Sequence, residues 1–137
     1  MILLDTNVLS AFMRPEPEEQ LLRWLNRQPV RSLWTTSVTV FEIEFGLQRM
    51  PDGRRRRGLL KAFHEFVEDE LESRVIPFDT VAARQAGALA ARLESGGRRL
   101  EIRDLQISGI ALAHAARVAT RNVRHFDQAC EVVNPWA

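Results

Sequence analysis

Lysine is almost missing from this chain: eighteen of its nineteen basic residues are arginine, and only Lys61 is lysine. Cysteine is equally scarce. Cys130 stands alone, which rules out an intramolecular disulfide and any zinc site built from a cysteine cluster. A lone cysteine also suits a reducing cytoplasm, the expected location. No apolar run approaches the ~18 residues that a membrane span requires, and no signal-peptide pattern opens the sequence, so no membrane role is expected. The three histidines, His64, His114 and His125, lack metal-ligand spacing and read as surface or packing residues. There are no internal repeats, low-complexity stretches or linkers.

What is present fits one globular domain spanning 1–137, with 45% apolar residues and a net charge of +1. The near-neutral total leaves room for a local separation in which acids gather in a cleft and arginines ring it. Arginine suits bidentate phosphate contacts and stacking on bases, although a GC-rich genome produces the same bias. The first seven residues, Met1-Ile2-Leu3-Leu4-Asp5-Thr6-Asn7, are the most informative. An unbroken apolar run reads as a buried parallel strand. It drives into an aspartate at the strand's carboxyl end, where open α/β sheets build their sites. The competing reading is that Asp5 caps the helix beginning at Thr6 or Asn7. This segment alone leaves both open.

Further along, the pattern predicts an alternating α/β unit. A helix runs to about Met13, Pro15 and Pro17 break it, and a second helix covers Glu18 to Arg27 with Leu21, Leu22 and Leu25 on one stripe. A strand follows at 32–36, with Ser37 as the expected N-cap of a helix from Val38 to Arg49. That helix is apolar on two sides, Val38, Phe41 and Phe45 on one and Val40, Ile43 and Leu47 on the other, as in a helix buried between layers or used at an interface. Pro51-Asp52-Gly53 interrupts it. A long helix to about Ser73, a strand at 75–78, helices over 81–94 and Arg103 to Ala116, and short strands at 118–120 and 132–133 complete the chain. Strands alternating with helices imply a mainly parallel sheet of about five strands covered on both faces.

Acidic residues recur at equivalent places in this scheme. Asp5 ends the first strand, Glu42 lies one turn into the helix after the second, and Asp104 opens the helix leading to the fourth. Asn122 follows that strand. Parallel strands would bring all four to one edge of the sheet, where a hard cation such as Mg²⁺ or Mn²⁺ takes oxygen ligands. Without a cation, three clustered carboxylates raise one another's pKa. Glu42 is preferred to Glu44 because it flanks the stripe taken as core-facing, Val38 and Phe45, and because Gly46 leaves space beside it. Taken singly, Glu42 also reads as a solvated helix residue and Asp104 as a favourable first-turn charge.

Leu4-Asp5-Thr6-Asn7-Val8-Leu9, Val40 to Leu47, Asp104-Leu105-Gln106-Ile107 and Ala119 to Phe126 resemble PIN-domain proteins, most closely the VapC-type toxins of bacterial toxin–antitoxin pairs. The resemblance spans essentially the whole chain. It implies a three-layer α/β/α PIN-like fold and a metal-dependent endoribonuclease held inactive by a small DNA-binding antitoxin. It also implies that Asp5 and Asp104 are the principal ligands of Mg²⁺ or Mn²⁺ and that Glu42 is the third acid. Asn122 stands where many relatives carry a fourth acid, which leaves a second metal open; Asp127 is the nearest substitute. Thr6, Asn7, Thr120 and Arg121 would support the ligands or the RNA substrate. The run Arg54-Arg55-Arg56-Arg57 fits backbone phosphates, a solvated helix start or an acidic partner equally well. Trp34 and Trp136 read as packing residues. A PIN-domain nuclease of RNA processing or DNA structure cleavage, and a catalytically idle partner-binding module, are the competing readings. The two-faced helix predicts a homodimer with Val40, Ile43 or Leu47 at or beneath the interface.

Overall fold

A computed structural model describes all residues, Met1–Ala137. Five strands, β1 (Ile2–Leu4), β2 (Leu33–Thr36), β3 (Val75–Ile76), β4 (Arg117–Ala119) and β5 (Val132–Val133), form one sheet in the order β3-β2-β1-β4-β5. Every pairing is parallel: Ile2 lies opposite Leu33 on one side and Arg117 on the other, Thr35 pairs with Val75, and Val118 with Val132. Six helices cover the sheet: α1 (Thr6–Phe12), α2 (Glu19–Arg27), α3 (Ser37–Gln48), α4 (Arg54–Glu65), α5 (Thr80–Ser95) and α6 (Ile102–His114). This is the expected three-layer α/β/α arrangement, and its sheet is wholly parallel.

The alternation of β1 divides the core. Ile2 and Leu4 pack with Val8, Leu9, Leu21, Trp24, Ile43 and Phe63 beneath α1 to α4. Leu3 points the other way and joins Ile76, Ile107, Ile110 and Val118 beneath α5 and α6. Successive strand side chains face opposite sides, so three apolar residues serve both layers. Chain order places β2 to one side of β1 and β4 to the other. The carboxyl ends of β1 and β4 are therefore the switch point at which a parallel sheet opens a crevice.

Several local expectations are corrected. Thr36, not Ser37, caps α3, accepting the Thr39 amide at 3.1 Å, while Ser37 Oγ accepts the Phe78 amide at 3.0 Å. The buried side of α3 is Val38, Thr39 and Ile43, with Val40 and Leu47 packed half-buried against the core. Phe41 and Phe45 face outward, 55% and 45% exposed. Of the stripe expected to face the core only Val38 does so, because the buried side turns through Thr39, whose hydroxyl is satisfied by Thr36 and so hides in a hydrophobic count. The predicted long helix to Ser73 ends sooner. α4 stops at Glu65, a π-helical turn carries Phe66–Glu70, and Glu72 and Ser73 take left-handed φ of 48° and 58° to turn the chain into β3.

The arginine run divides its labour. Gly53, at φ 156° and ψ −173°, occupies backbone space essentially closed to other residues and starts α4. Arg56 donates to the Gln48 and Met50 carbonyls at 3.4 Å and pairs with Asp52 at 3.1 Å, fastening the end of α3 to α4.

Candidate active site

Asp5 follows the central strand at the N-cap position of α1, yet its side chain makes no capping hydrogen bond. Oδ2 instead accepts from Thr120 Oγ1 at 2.8 Å and from Asn7 Nδ2 at 3.1 Å, while no side-chain donor reaches Oδ1. Thr120, just past β4, is fully buried, and its hydroxyl oxygen also accepts the Asn122 amide at 3.0 Å. Asn7 closes the link between strand ends by accepting the Arg121 amide at 3.1 Å. Of the two readings left open for Asp5, the cap is set aside. The carboxylate is locked in place by the neighbouring strand and belongs to a cleft.

That cleft, of about 490 Å³, is lined entirely by polar residues: Asp5, Thr6, Asn7, Ser10, Glu42, Glu101, Asp104, Asn122 and His125. Glu42 reaches it from α3, flanking buried Thr39 and Ile43. Thr6 Oγ1 donates to Glu42 Oε1 at 3.3 Å, and Arg103 Nη1 lies 3.6 Å from Oε2. Asp104 enters from the first turn of α6, with His125 Nδ1 3.2 Å from its Oδ2. Glu101 caps that helix by accepting the Arg103 amide at 3.0 Å.

Crowding acids at one place raises their pKa values. Burial pushes the Asp5 carboxyl above its ordinary range, against the hydrogen bond from Thr120, the Thr6 amide and the charge of His125. Glu42 is raised first by burial and then by the charge of Asp5, opposed by Thr6 and Arg103. Asp104 is pushed up to about 6, by burial and then by Asp5, with His125 working the other way. Three carboxylates that resist ionisation together are the electrostatic signature of a site built for a counter-charge.

The donor chemistry suits a hard divalent cation: all the acids offer oxygen, and Asp5 keeps one oxygen without a side-chain donor. No three acid, histidine or cysteine side chains stand close enough together to hold a metal ion by themselves. Mg²⁺ does not require three, since it is typically held by one or two carboxylates and keeps several waters. The cleft fits such an ion in the type of its ligands and in having room for water.

The structure brings together Asp5, Glu42, Asp104, Asn122, Thr6 and Asn7 in the cleft, with Thr120 immediately beneath Asp5. Arg121 contributes its backbone to Asn7, but its side chain turns away to Glu18 at 3.1 Å and lies 4.0 Å over the Trp136 ring. Asp127 is not among the cleft residues. Gly46 is not needed for space, since a Cβ there meets nothing within 4 Å. The sequence reading missed Ser10, Glu101 and His125. His125, expected as a surface or packing residue, is exposed but is also a partner of Asp104; the short helical turn Val123–His125 delivers it there. His64 pairs with Glu44 at 2.7 Å, away from the cleft. Cys130 is chemically quiet, its thiol raised to about 11 by burial.

A parallel sheet in the order 3-2-1-4-5 with an acidic cleft at its switch point defines the class, and comparison with known proteins agrees. The chain belongs to the PIN-domain family, whose sequence profile matches residues 2–132, and is thereby a nuclease by class. Within the family it is a homologue of VapC- and FitB-type toxins. It is 37% identical over 137 residues to VapC ribonuclease Y4jK of Sinorhizobium fredii, covering 99% of this chain and 98% of that one. It is 30% identical to toxin FitB of Neisseria gonorrhoeae, covering 99% of each. The solved structure of FitAB bound to an IR36 DNA fragment is similar with a TM-score of 0.91 at 30% identity, over 100% of this chain and 96% of that one. DNA-bound VapBC of Salmonella typhimurium gives 0.80 at 25% identity, over 99% and 98%.

Proposed function

We propose that this chain is a toxin endoribonuclease that hydrolyses RNA phosphodiesters in the acidic cleft with Mg²⁺ or Mn²⁺ and is silenced by a small DNA-binding antitoxin. The observation that carries the reading is the withdrawal of Asp5 from its own helix and its assembly with Glu42 and Asp104 from two other elements. Full-length similarity to proteins named as toxins favours it over an RNA-processing or DNA-structure nuclease. An intact acid set speaks against an idle binding module.

Asp5, Asp104 and Glu42 would hold the cation, with Asn122 able to lend a neutral oxygen. When bound, the cation supplies an activated water and neutralises charge developing on the phosphoryl oxygens. The chain's own contribution is positional. Thr120 and Asn7 fix the Asp5 carboxylate from one side, and Thr6 orients Glu42 from the other. Attack by water in line with the departing 3′ oxygen leaves a 5′-phosphate and a 3′-hydroxyl, and no serine or cysteine nucleophile is needed. An RNA substrate and a DNA-binding antitoxin both favour action in the cytoplasm.

Complexes of relatives, FitAB and VapBC, each solved with DNA, support the antitoxin partner. A groove of about 310 Å³ beside the cleft, with Met13, Ile43, Leu47 and Leu59 in its wall, suits the apolar face of a peptide helix. The outward Phe41 and Phe45 would supply the surface for the expected homodimer, with Val40, Ile43 and Leu47 packed beneath it. A monomeric mass by light scattering would remove that part of the reading.

The decisive experiment is cleavage of single-stranded RNA by purified protein with Mg²⁺ or Mn²⁺ and with chelator. Asp5→Asn and Asp104→Asn should each lower the rate by at least about 100-fold, the scale for losing a group that stabilises transition-state charge. Wild-type-like cleavage by either variant, or cleavage indifferent to chelator, would defeat the assignment.

A further inference from the structure

The acidic cleft continues on two sides, and the two sides differ in chemistry. Toward α4 it shares Thr6, Ser10 and Glu42 with the apolar-walled groove, where Arg14 and Arg55 are the only cations. Toward the β4–β5 connection it shares Asn122 and His125 with a second groove of about 370 Å³. Arg121, Val123, Arg124 and Asn134 complete this one, so a single lining residue is apolar and none is acidic. A polyanion whose scissile phosphate must enter a nest of carboxylates needs compensating cations along its path. Each groove carries two arginines, but the first also holds Glu42 and four apolar residues, whereas the second has one apolar residue and no acid.

The side chains there are prepared unequally. Arg121 is already engaged: Nη2 contacts both Glu18 oxygens at 3.1 and 3.3 Å, the guanidinium lies over Trp136, and the amide is tied to Asn7. Part of its charge is thus met within the chain. Arg124 has neither a carboxylate partner within 4.0 Å nor a side-chain hydrogen bond, and it is exposed on the turn Val123–His125 that also presents His125. Asn134 accepts the Trp136 amide through Oδ1 at 2.9 Å, which leaves its Nδ2 to donate.

We propose that this groove is the path of the single RNA strand beside the scissile phosphate, with Arg124 and the Asn134 amide contacting its backbone. The proposal deepens the ribonuclease reading and rests on it. It assigns the two flanks of one cleft to different occupants, nucleic acid over the β4–β5 side and peptide over the α1–α4 side.

The test uses the full chain carrying Asp104→Asn, to prevent cleavage, and a fluorescent single-stranded RNA of mixed sequence in Mg²⁺, read by anisotropy over a salt series. Arg124→Ala should weaken binding roughly three- to tenfold and reduce the salt slope by about one, the effect of losing one phosphate contact. Arg124→Glu should weaken it further and Asn134→Ala less, with the melting temperatures of the Arg124 variants unchanged. Arg84→Ala, which removes an exposed arginine on α5, should leave binding alone. Unaltered RNA affinity and salt slope in Arg124→Glu would overturn the proposal, as would an equal loss in Arg84→Ala. The same loss with mixed-sequence duplex DNA would also overturn it, marking the groove as a DNA contact. Absence of RNA binding by the Arg124-intact protein would instead count against the ribonuclease reading itself.

Discussion

Asp104 carries an unfavourable charge in the folded protein, and the pH dependence of stability follows from it. Its carboxyl is raised to about 6 by burial and by Asp5, and Glu42 and Asp5 are raised as well. Ionisation of these groups therefore costs the folded state more than the unfolded one. Their stabilising contribution is complete below the ordinary carboxylate range near ~4 and is lost as pH rises through the folded value. Glu44 works oppositely, lowered by His64 and Gln48, but its loss falls at the acid end of that range. Metal-free protein should thus melt at a higher temperature near pH 5 than near pH 7, and Asp104→Asn should flatten the profile while raising the melting temperature at pH 7. A melting temperature that rises from pH 5 to pH 7, or an undiminished slope in the variant, would contradict the account. Among single residues, the place of Asp5 at the end of the first strand was legible, but its own segment left a helix cap open, and only the recurrence of acids at other strand ends favoured the cleft. The role of His125 was not legible, because it depends on a three-residue turn that no periodicity announces.

At the scale of elements, the contact between α5 and α6 sets where Asp104 enters the cleft. The two helices pack tightly at Gly109, where a Cβ would lie 2.5 Å from the Ala82 carbonyl oxygen, 2.7 Å from the Ala86 Cβ and 3.0 Å from the Ala86 amide nitrogen. Two of those three atoms are backbone, so the helices must part to admit a methyl group. Gly109→Ala should destabilise the protein by about 1–3 kcal/mol through overpacking, even though alanine in a helix interior is otherwise worth about 1 kcal/mol over glycine. Gly46→Ala, in α3 with nothing within 4 Å, should be neutral or stabilising. Urea denaturation of the two variants separates packing from propensity, and equal effects would refute the distinction. Alanine-rich α5 and α6 were legible as helices, but nothing in their sequences singles out Gly109. The facing of α3 was misread for a related reason: periodicity finds stripes, and only the neighbours decide which stripe is covered.

Across the whole molecule, the cleft joins an apolar groove on one flank and an arginine-bearing groove on the other, so under the proposed function inhibition and substrate binding would meet at the same carboxylates. Arg103 already shows how a guanidinium sits there, 3.6 Å from Glu42 and 5.4 Å from the centroid of the Phe41 ring. An antitoxin helix anchored on Met13, Ile43, Leu47 and Leu59 would bring its own side chains to the shared rim at Thr6, Ser10 and Glu42. The anchor is required, because an exposed ion pair alone contributes little. A basic side chain reaching Glu42 or Asp5 would need the oxygens that a divalent cation needs. Linkage then fixes the sign: whatever the cation gains from those oxygens, the antitoxin loses. Affinity measured by calorimetry with the cognate antitoxin should therefore fall as Mn²⁺ rises, and Glu42→Gln should weaken that dependence. Affinity indifferent to Mn²⁺ would reject competition and leave obstruction of the RNA path as the mechanism, and full cleavage activity in the saturated complex would reject both.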